Sequence, residues 1–162
     1  MIIKNASVYT PEHTFEQKDI YIDGELFGRE GQGDEVDAQG LLAIPGLIDI
    51  HTHGCMGHDF CGGTEEDLDV ICKYEGEHGV TAVVPASMTL SEEELTSIFT
   101  NAANYTQKEN AALFCGINME GPFFSPAKKG AQNGTYLQDP SYPLFTRLQK
   151  AANGLIKIVC IA

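Results

Sequence analysis

Basic residues are few in this chain: ten Lys and Arg stand against 23 Asp and Glu, for a formal net charge of −13 at pH 7. Such a surface repels phosphate backbones and anionic lipid, so neither a nucleic acid nor a membrane is expected as a partner. A solvated acidic surface is the simplest reading of the balance. No Cys-x-x-Cys occurs, and Cys55, Cys61, Cys72, Cys115 and Cys160 form an odd set. That pattern argues against a disulfide framework and against a thiolate zinc knuckle. The thiols are expected to be reduced, with Cys115 and Cys160 in the core of apolar strands. No apolar run is long enough to span a bilayer, and the opening Met1-Ile2-Ile3-Lys4-Asn5 does not read as a leader. The expectation is a soluble, cytoplasmic protein. Also missing are the Gly-x-x-x-x-Gly-Lys phosphate loop, a dinucleotide fingerprint among Gly54, Gly57, Gly62 and Gly63, and the Gly-x-Ser-x-Gly nucleophile elbow.

What is present suffices for a folded core, since 43% of 162 residues are apolar. Residues 1–43 read as a small β module of short strands and turns. Within it, Asp23-Gly24 between β-prone neighbours predicts a hairpin turn. Residues 44–162 alternate apolar strands with helical stretches, the pattern of a parallel α/β sheet or barrel. Strands are expected over 46–53, 81–86, 112–119 and 156–162. Between them lie three helices, from Glu65 to His78 behind a Thr64 cap, from the Ser91/Glu94 capping box to about Thr106, and from about Pro140 to Ala152. Four such units are half of a closed eight-stranded barrel, which typically takes ~250 residues. An apolar strand at the end of the chain predicts a truncated barrel; a complete doubly wound domain is the alternative.

The stretch Ile44-Pro45-Gly46-Leu47-Ile48-Asp49-Ile50-His51-Thr52-His53-Gly54 joins a strand signal to two histidines. Alternate residues of a strand face the same side, so His51 and His53 project together, at the strand end where α/β barrels carry their chemistry. The plainer alternative is a pair of ordinary turn histidines. Glu120 closes the third apolar strand before Gly121-Pro122 and would face the same mouth. Two imidazoles and a carboxylate make a set suited to Zn²⁺, Fe²⁺ or Mn²⁺, although a carboxylate there can equally be a surface group. The loop from Ser125 to Gly134 carries Lys128 and Lys129, which either attract an anionic substrate or are simply solvated. His58 and Asp59 follow the histidine pair and read as loop polar residues. His13 and His78 read as surface residues, His78 at a helix end where a cation suits the dipole.

The string from Gly40 to Gly54 resembles the opening of metal-dependent amidohydrolases. Met119-Glu120-Gly121-Pro122-Phe123-Phe124-Ser125-Pro126, followed by Lys128-Lys129-Gly130-Ala131, resembles one branch of them, the N-acetylglucosamine-6-phosphate deacetylases. The resemblance covers the whole chain, as the amino-terminal half or so of such an enzyme. It implies the first half of a (β/α)₈ TIM-type barrel over residues 44–162, preceded by part of a small β-sandwich over residues 1–43. It further implies Glu120 as principal metal carboxylate, His51 and His53 as ligands some members use for a second ion, and Ala131 and Gln132 as substrate contacts. Some relatives carry histidine in place of Gln132. The implied cofactor is a divalent metal, zinc first, with iron or manganese as alternatives. The implied substrate is a phosphorylated amino sugar, the implied assembly a homodimer, and the implied reaction hydrolysis of an acetamide to acetate and glucosamine 6-phosphate. The catalytic aspartate and two further metal histidines would come from later strands, so no catalytic residue is expected within these residues and the chain alone is expected to be inactive. Two other readings stand beside it: an amidohydrolase acting on a cyclic amide or an N-acetyl amino acid, and a non-catalytic metal-binding or assembly module.

Overall fold

A computed structural model describes residues 1–162 as two compact units, Met1–Pro45 and Gly46–Ala162, with mixed α/β content overall. No helix is long and apolar enough to cross a membrane.

The first unit is a single five-stranded sheet. Strand β1 (Ile2–Tyr9) pairs antiparallel with β2 (Phe15–Asp23), which turns back into β3 (Leu26–Gly28). On its other side β1 pairs in parallel with β4 (Glu35–Asp37) and β5 (Leu42–Ala43). The β2–β3 turn falls one residue later than the sequence predicts. Asp23 pairs with Leu26, so the connecting residues are Gly24 and Glu25, with Gly24 at φ +60°. Glycine takes that left-handed conformation without the clash a side chain would bring.

In the second unit every extended pairing that builds its main sheet is parallel. Strand β6 (Leu47–Asp49) leads into a small hairpin of β7 (Gly54–Cys55) and β8 (His58–Asp59), then α1 (Glu65–Glu77) and β9 (Val80–Val83). Helix α2 (Glu92–Ala103) follows, then β10 (Leu113–Phe114), β11 (Ile117–Glu120), α3 (Tyr142–Ala151) and β12 (Ile156–Cys160). Strand β9 lies between β6 and β10, β11 pairs with β12, and a parallel bridge from Ala86 to Asn118 joins the two groups. With β10 and β11 taken as one broken strand and the β7–β8 hairpin set aside, successive strands of this sheet lie beside one another, as βαβ crossovers place them.

The expected elements are present with shorter strands. The third is broken at Gly116 into β10 and β11, and the first ends at Asp49, before the histidines. Backbone pairing nonetheless continues past Asp49, because Val84 N–H donates to Asp49 O and Ala86 N–H to Thr52 O. Helix α2 stops at Ala103 rather than near Thr106. All three helices begin on a side-chain cap: Thr64, Ser91 and Ser141 accept from the amides of Asp67, Glu94 and Leu144. Each such cap satisfies a donor that the first helical turn leaves free.

The core of this unit fills the space between helices and sheet. Ile71, Leu95, Phe99 and Leu148 from the helices meet Phe60, Ile117 and Met119, all at most 2% exposed. Burying a side chain of this size stabilises a fold by roughly 1.5–3 kcal/mol. Cys115 and Cys160 are partly exposed, contrary to the expectation of core thiols, and Cys72 is the buried one; all five are free. Apolar periodicity marks a strand but does not say which of its faces a helix will cover.

Candidate metal centre

Glu120 ends β11, and the next residue must be small. Gly121 sits at φ +84°, and a Cβ there would collide with Thr89 Oγ1. The chain after β9 thus passes directly beside the end of β11. Glu120 Oε2 lies 3.1 Å from His51 Nε2 and 3.1 Å from His53 Nε2. Their ligand atoms all fall within 4.8 Å of one another. The carboxylate side chain is 20% exposed and the rings 47% and 37%.

These contacts do not satisfy the carboxylate. Oε2 is shielded from solvent yet has no hydrogen-bond partner, since neither ring presents an N–H along the line that a hydrogen bond needs. A buried acceptor without a donor is costly. Three donor atoms converging on one point, with one of them orphaned, is the arrangement a divalent cation completes, and the mixed nitrogen and oxygen set fits zinc, iron or manganese.

The far side of each ring is held as well. His53 Nδ1 donates to the Ala86 carbonyl at 3.0 Å. His51 Nδ1 lies 3.3 Å from the Asn118 amide nitrogen, which also donates to Ile50 O at 2.9 Å. Asn118 is 2% exposed, and its Oδ1 accepts from the Cys160 thiol at 3.3 Å. Burial, and then the nearby Glu120 carboxylate, push that thiol up from its ordinary value. Sequence reasoning passed over Asn118, although it precedes Glu120 by two residues in one strand and so shares its face. The Ala86 carbonyl carries no sequence signal, because any residue supplies one.

Other predicted residues are engaged elsewhere. His58 Nδ1 faces Asp67 Oδ1 at 3.0 Å, and Asp67 also closes the Thr64 cap. Burial raises the Asp67 pKa, but the Thr64 and His58 hydrogen bonds outweigh it and hold the carboxyl below its ordinary value. Asp59 accepts from Cys61 N–H at 2.7 Å, and Asp49 accepts from His51 N–H at 2.8 Å. His13 is exposed against Tyr9, and His78 caps α1, its ring donating to Tyr74 O. Gln132 is turned inward at 5% exposure, its Oε1 accepting from Thr89 N–H at 2.6 Å and its Nε2 donating to Met88 Sδ at 3.6 Å. Ala131 beside it is exposed. Lys129 Nζ donates to Gln132 O at 2.9 Å, which closes the loop on itself and leaves Lys128 exposed.

Known proteins share this arrangement of elements. N-acetylglucosamine-6-phosphate deacetylase of Bacillus subtilis is 29% identical over 174 residues, a match that takes in 100% of this chain and 44% of that protein. The chain resembles these deacetylases over its full length. A mutant N-acetyl-D-glucosamine-6-phosphate deacetylase of Mycobacterium smegmatis, solved with N-acetyl-D-glucosamine 6-phosphate, superimposes with a TM-score of 0.82 at 25% identity, covering 100% of this chain and 43% of that one. The deacetylase of Pasteurella multocida gives a TM-score of 0.84 at 24% identity, over 99% of this chain and 44% of its own, and speaks to the fold alone. No family model matches. The chain thus spans less than half the length of the deacetylases it matches, consistent with their amino-terminal part.

Proposed function

We propose that this chain is the amino-terminal part of a metal-dependent N-acetylglucosamine-6-phosphate deacetylase, with Glu120, His51 and His53 as its share of the metal shell. The observation that carries the reading is the orphaned Glu120 Oε2, 3.1 Å from two imidazole nitrogens. The full-length similarity to deacetylases supports the substrate class. Residues 44–162 are then the first four strands of a (β/α)₈ barrel, which the strand-beside-strand order of the second unit supports, and residues 1–43 part of a small β-sandwich.

When bound, a divalent ion supplies a Lewis acid for the acetamide carbonyl and a water acidic enough to attack it, zinc being the first choice and iron or manganese the alternatives. The protein's residues hold that chemistry in place. Glu120 provides the anionic ligand from the end of β11, fixed by Gly121 packing against Thr89. His53 is oriented by Ala86 and His51 by Asn118. Ala131 and Gln132 are assigned to substrate contact. With the Gln132 amide occupied inside, that contact passes through the exposed Ala131 side of the loop. Exposed Lys128 gives the loop a positive charge for a phosphorylated amino sugar in an otherwise acidic chain. A second copy of the protein is the assigned partner and the cytoplasm its assigned location.

These 162 residues are proposed to be inactive alone. A deacetylase needs a carboxylate to take a proton from the attacking water and return it to the leaving amine. Asp49 and Asp59, the nearest candidates in sequence, are bound to backbone amides. The test pairs two measurements on the purified chain. Zinc titration is expected to show binding that Glu120→Gln abolishes, and acetate release from N-acetylglucosamine 6-phosphate is expected to stay at background. Zinc uptake undiminished in the variant, or turnover by the chain, overturns the corresponding part.

A further inference from the structure

We infer that Gln132 is a positioning residue of the metal centre: through the Thr89 amide it pins the segment from Ala86 to Thr89, which in turn holds Glu120 and His53. This rests on the metal reading above and gives Gln132 a role other than substrate contact. Four successive amides of that segment are each taken by a different part of the fold. Ala86 N–H donates to Thr52 O at 2.7 Å, Ser87 N–H to Asn118 O at 2.9 Å, Met88 N–H to Cys61 Sγ at 3.3 Å and Thr89 N–H to Gln132 Oε1 at 2.6 Å. The first two tie the segment to the stretch that bears the histidines and to β11. Gln132 supplies the tie to the loop from Ser125 to Gly134, with its Nε2 on Met88 Sδ at 3.6 Å. A main-chain N–H can only donate, so the atom facing Thr89 is the amide oxygen. Gln132 and Thr89 are 5% and 1% exposed, so removing that oxygen leaves the N–H buried without a partner.

The anchor behind Gln132 is closed. Its own N–H donates to Lys129 O at 3.1 Å and its carbonyl accepts from Lys129 Nζ at 2.9 Å, so the side chain leaves a fixed turn. At the other end, the consequences fall on the ligands. Thr89 Oγ1 stands against Gly121, where a Cβ would collide with it, and Gly121 follows Glu120. That hydroxyl is buried and has no hydrogen-bond partner. Its contact with Gly121 is therefore steric, and depends on where the Thr89 backbone is held. Ala86, three residues earlier, presents the carbonyl that accepts from His53 Nδ1 at 3.0 Å. A shift of Thr89 thus reaches the carboxylate ligand through Gly121 and one imidazole through Ala86. Groups behind a metal ligand set its orientation and so its affinity.

Gln132→Met keeps the length of the side chain and removes the acceptor, and two measurements on the purified chain read its effect. Hydrogen exchange by NMR in EDTA compares the amides of Ala86, Ser87 and Thr89 with those of Ile98 and Phe99 in α2, which report on the fold as a whole. In the variant the first set is expected to exchange about tenfold faster relative to the second, within what a stranded buried N–H brings. Acceleration shared equally by both sets, the mark of a purely structural Gln132, overturns the inference. Zinc binding, measured by competition with a chromophoric chelator, is expected to weaken about tenfold, the lower end of what changes behind a ligand bring. Unchanged affinity, as a residue serving the substrate alone would give, also overturns it. Thr89→Ala keeps the backbone hydrogen bond to Gln132 and removes the contact with Gly121, so it is expected to weaken zinc binding too. Should Gln132→Met fail to fold, Thr89→Ala decides, and undiminished affinity there overturns the inference. A folded wild type that takes up no zinc overturns the metal reading instead, and the exchange comparison then still decides whether Gln132 pins the segment.

Discussion

Gln132 joins two parts of the second unit through one side chain. Its Oε1 is the partner of the Thr89 amide, and Thr89 in turn packs against Gly121, the residue after Glu120. Gln132→Ala strands a buried N–H, an effect of about 1–3 kcal/mol. The urea midpoint of the variant is expected to fall accordingly, with Ala131→Ser at the exposed neighbouring position as the unaffected control. The cysteines follow the same logic of surroundings over identity. Burial, chiefly, pushes both the Cys61 and the Cys72 thiol up to about 11. The thiolate is the reactive form, so both are expected to remain unmodified by iodoacetamide at pH 7.5 in the native chain and to react in urea, as mass spectrometry would show.

Helix α1 shows how one carboxylate serves an element twice. Asp67 returns a hydrogen bond to the Thr64 amide, completing a capping box, and also fixes His58 in the preceding hairpin. Its pKa is lowered on folding, so its contribution is fully present above the ordinary carboxylate value of about 3.9 and is lost as pH falls through the lower, folded value. Asp67→Asn is expected to lower thermal stability at pH 7, where a lost cap typically costs about 1 kcal/mol. The gap to wild type should then close as the pH falls through the lowered folded value of Asp67, where the wild-type carboxyl is protonated too. A gap that persists unchanged in acid would assign the effect to packing rather than to charge. Helix α2 repeats the device with Ser91 and Glu94, and Arg147 of α3 meets Glu92 at 2.6 Å through Nε. That last pair is exposed, so it sets the approach of the two helices more than their stability.

At the scale of the whole molecule, the candidate centre ties distant segments of the second unit together, since its ligands come from the segment after β6 and from the end of β11. A cation bound only by the folded state stabilises it by mass action, about 2.7 kcal/mol at a hundredfold excess over the dissociation constant. Zinc is therefore expected to raise the melting temperature of the wild type, EDTA to reverse the rise, and Glu120→Gln to show neither effect. Much of this was legible in the residues themselves. Thr64, Ser91 and the apolar runs declared helices and strands, because caps and periodicity act over a few neighbouring positions. His51, His53 and Glu120 were legible as ligand types at strand ends for the same reason. Their convergence on one point, the inward turn of Gln132 and the grip of Asn118 on His51 were decided only in three dimensions. Each depends on contacts between residues 43 to 69 positions apart in sequence, and such contacts are fixed by how strands register and helices pack.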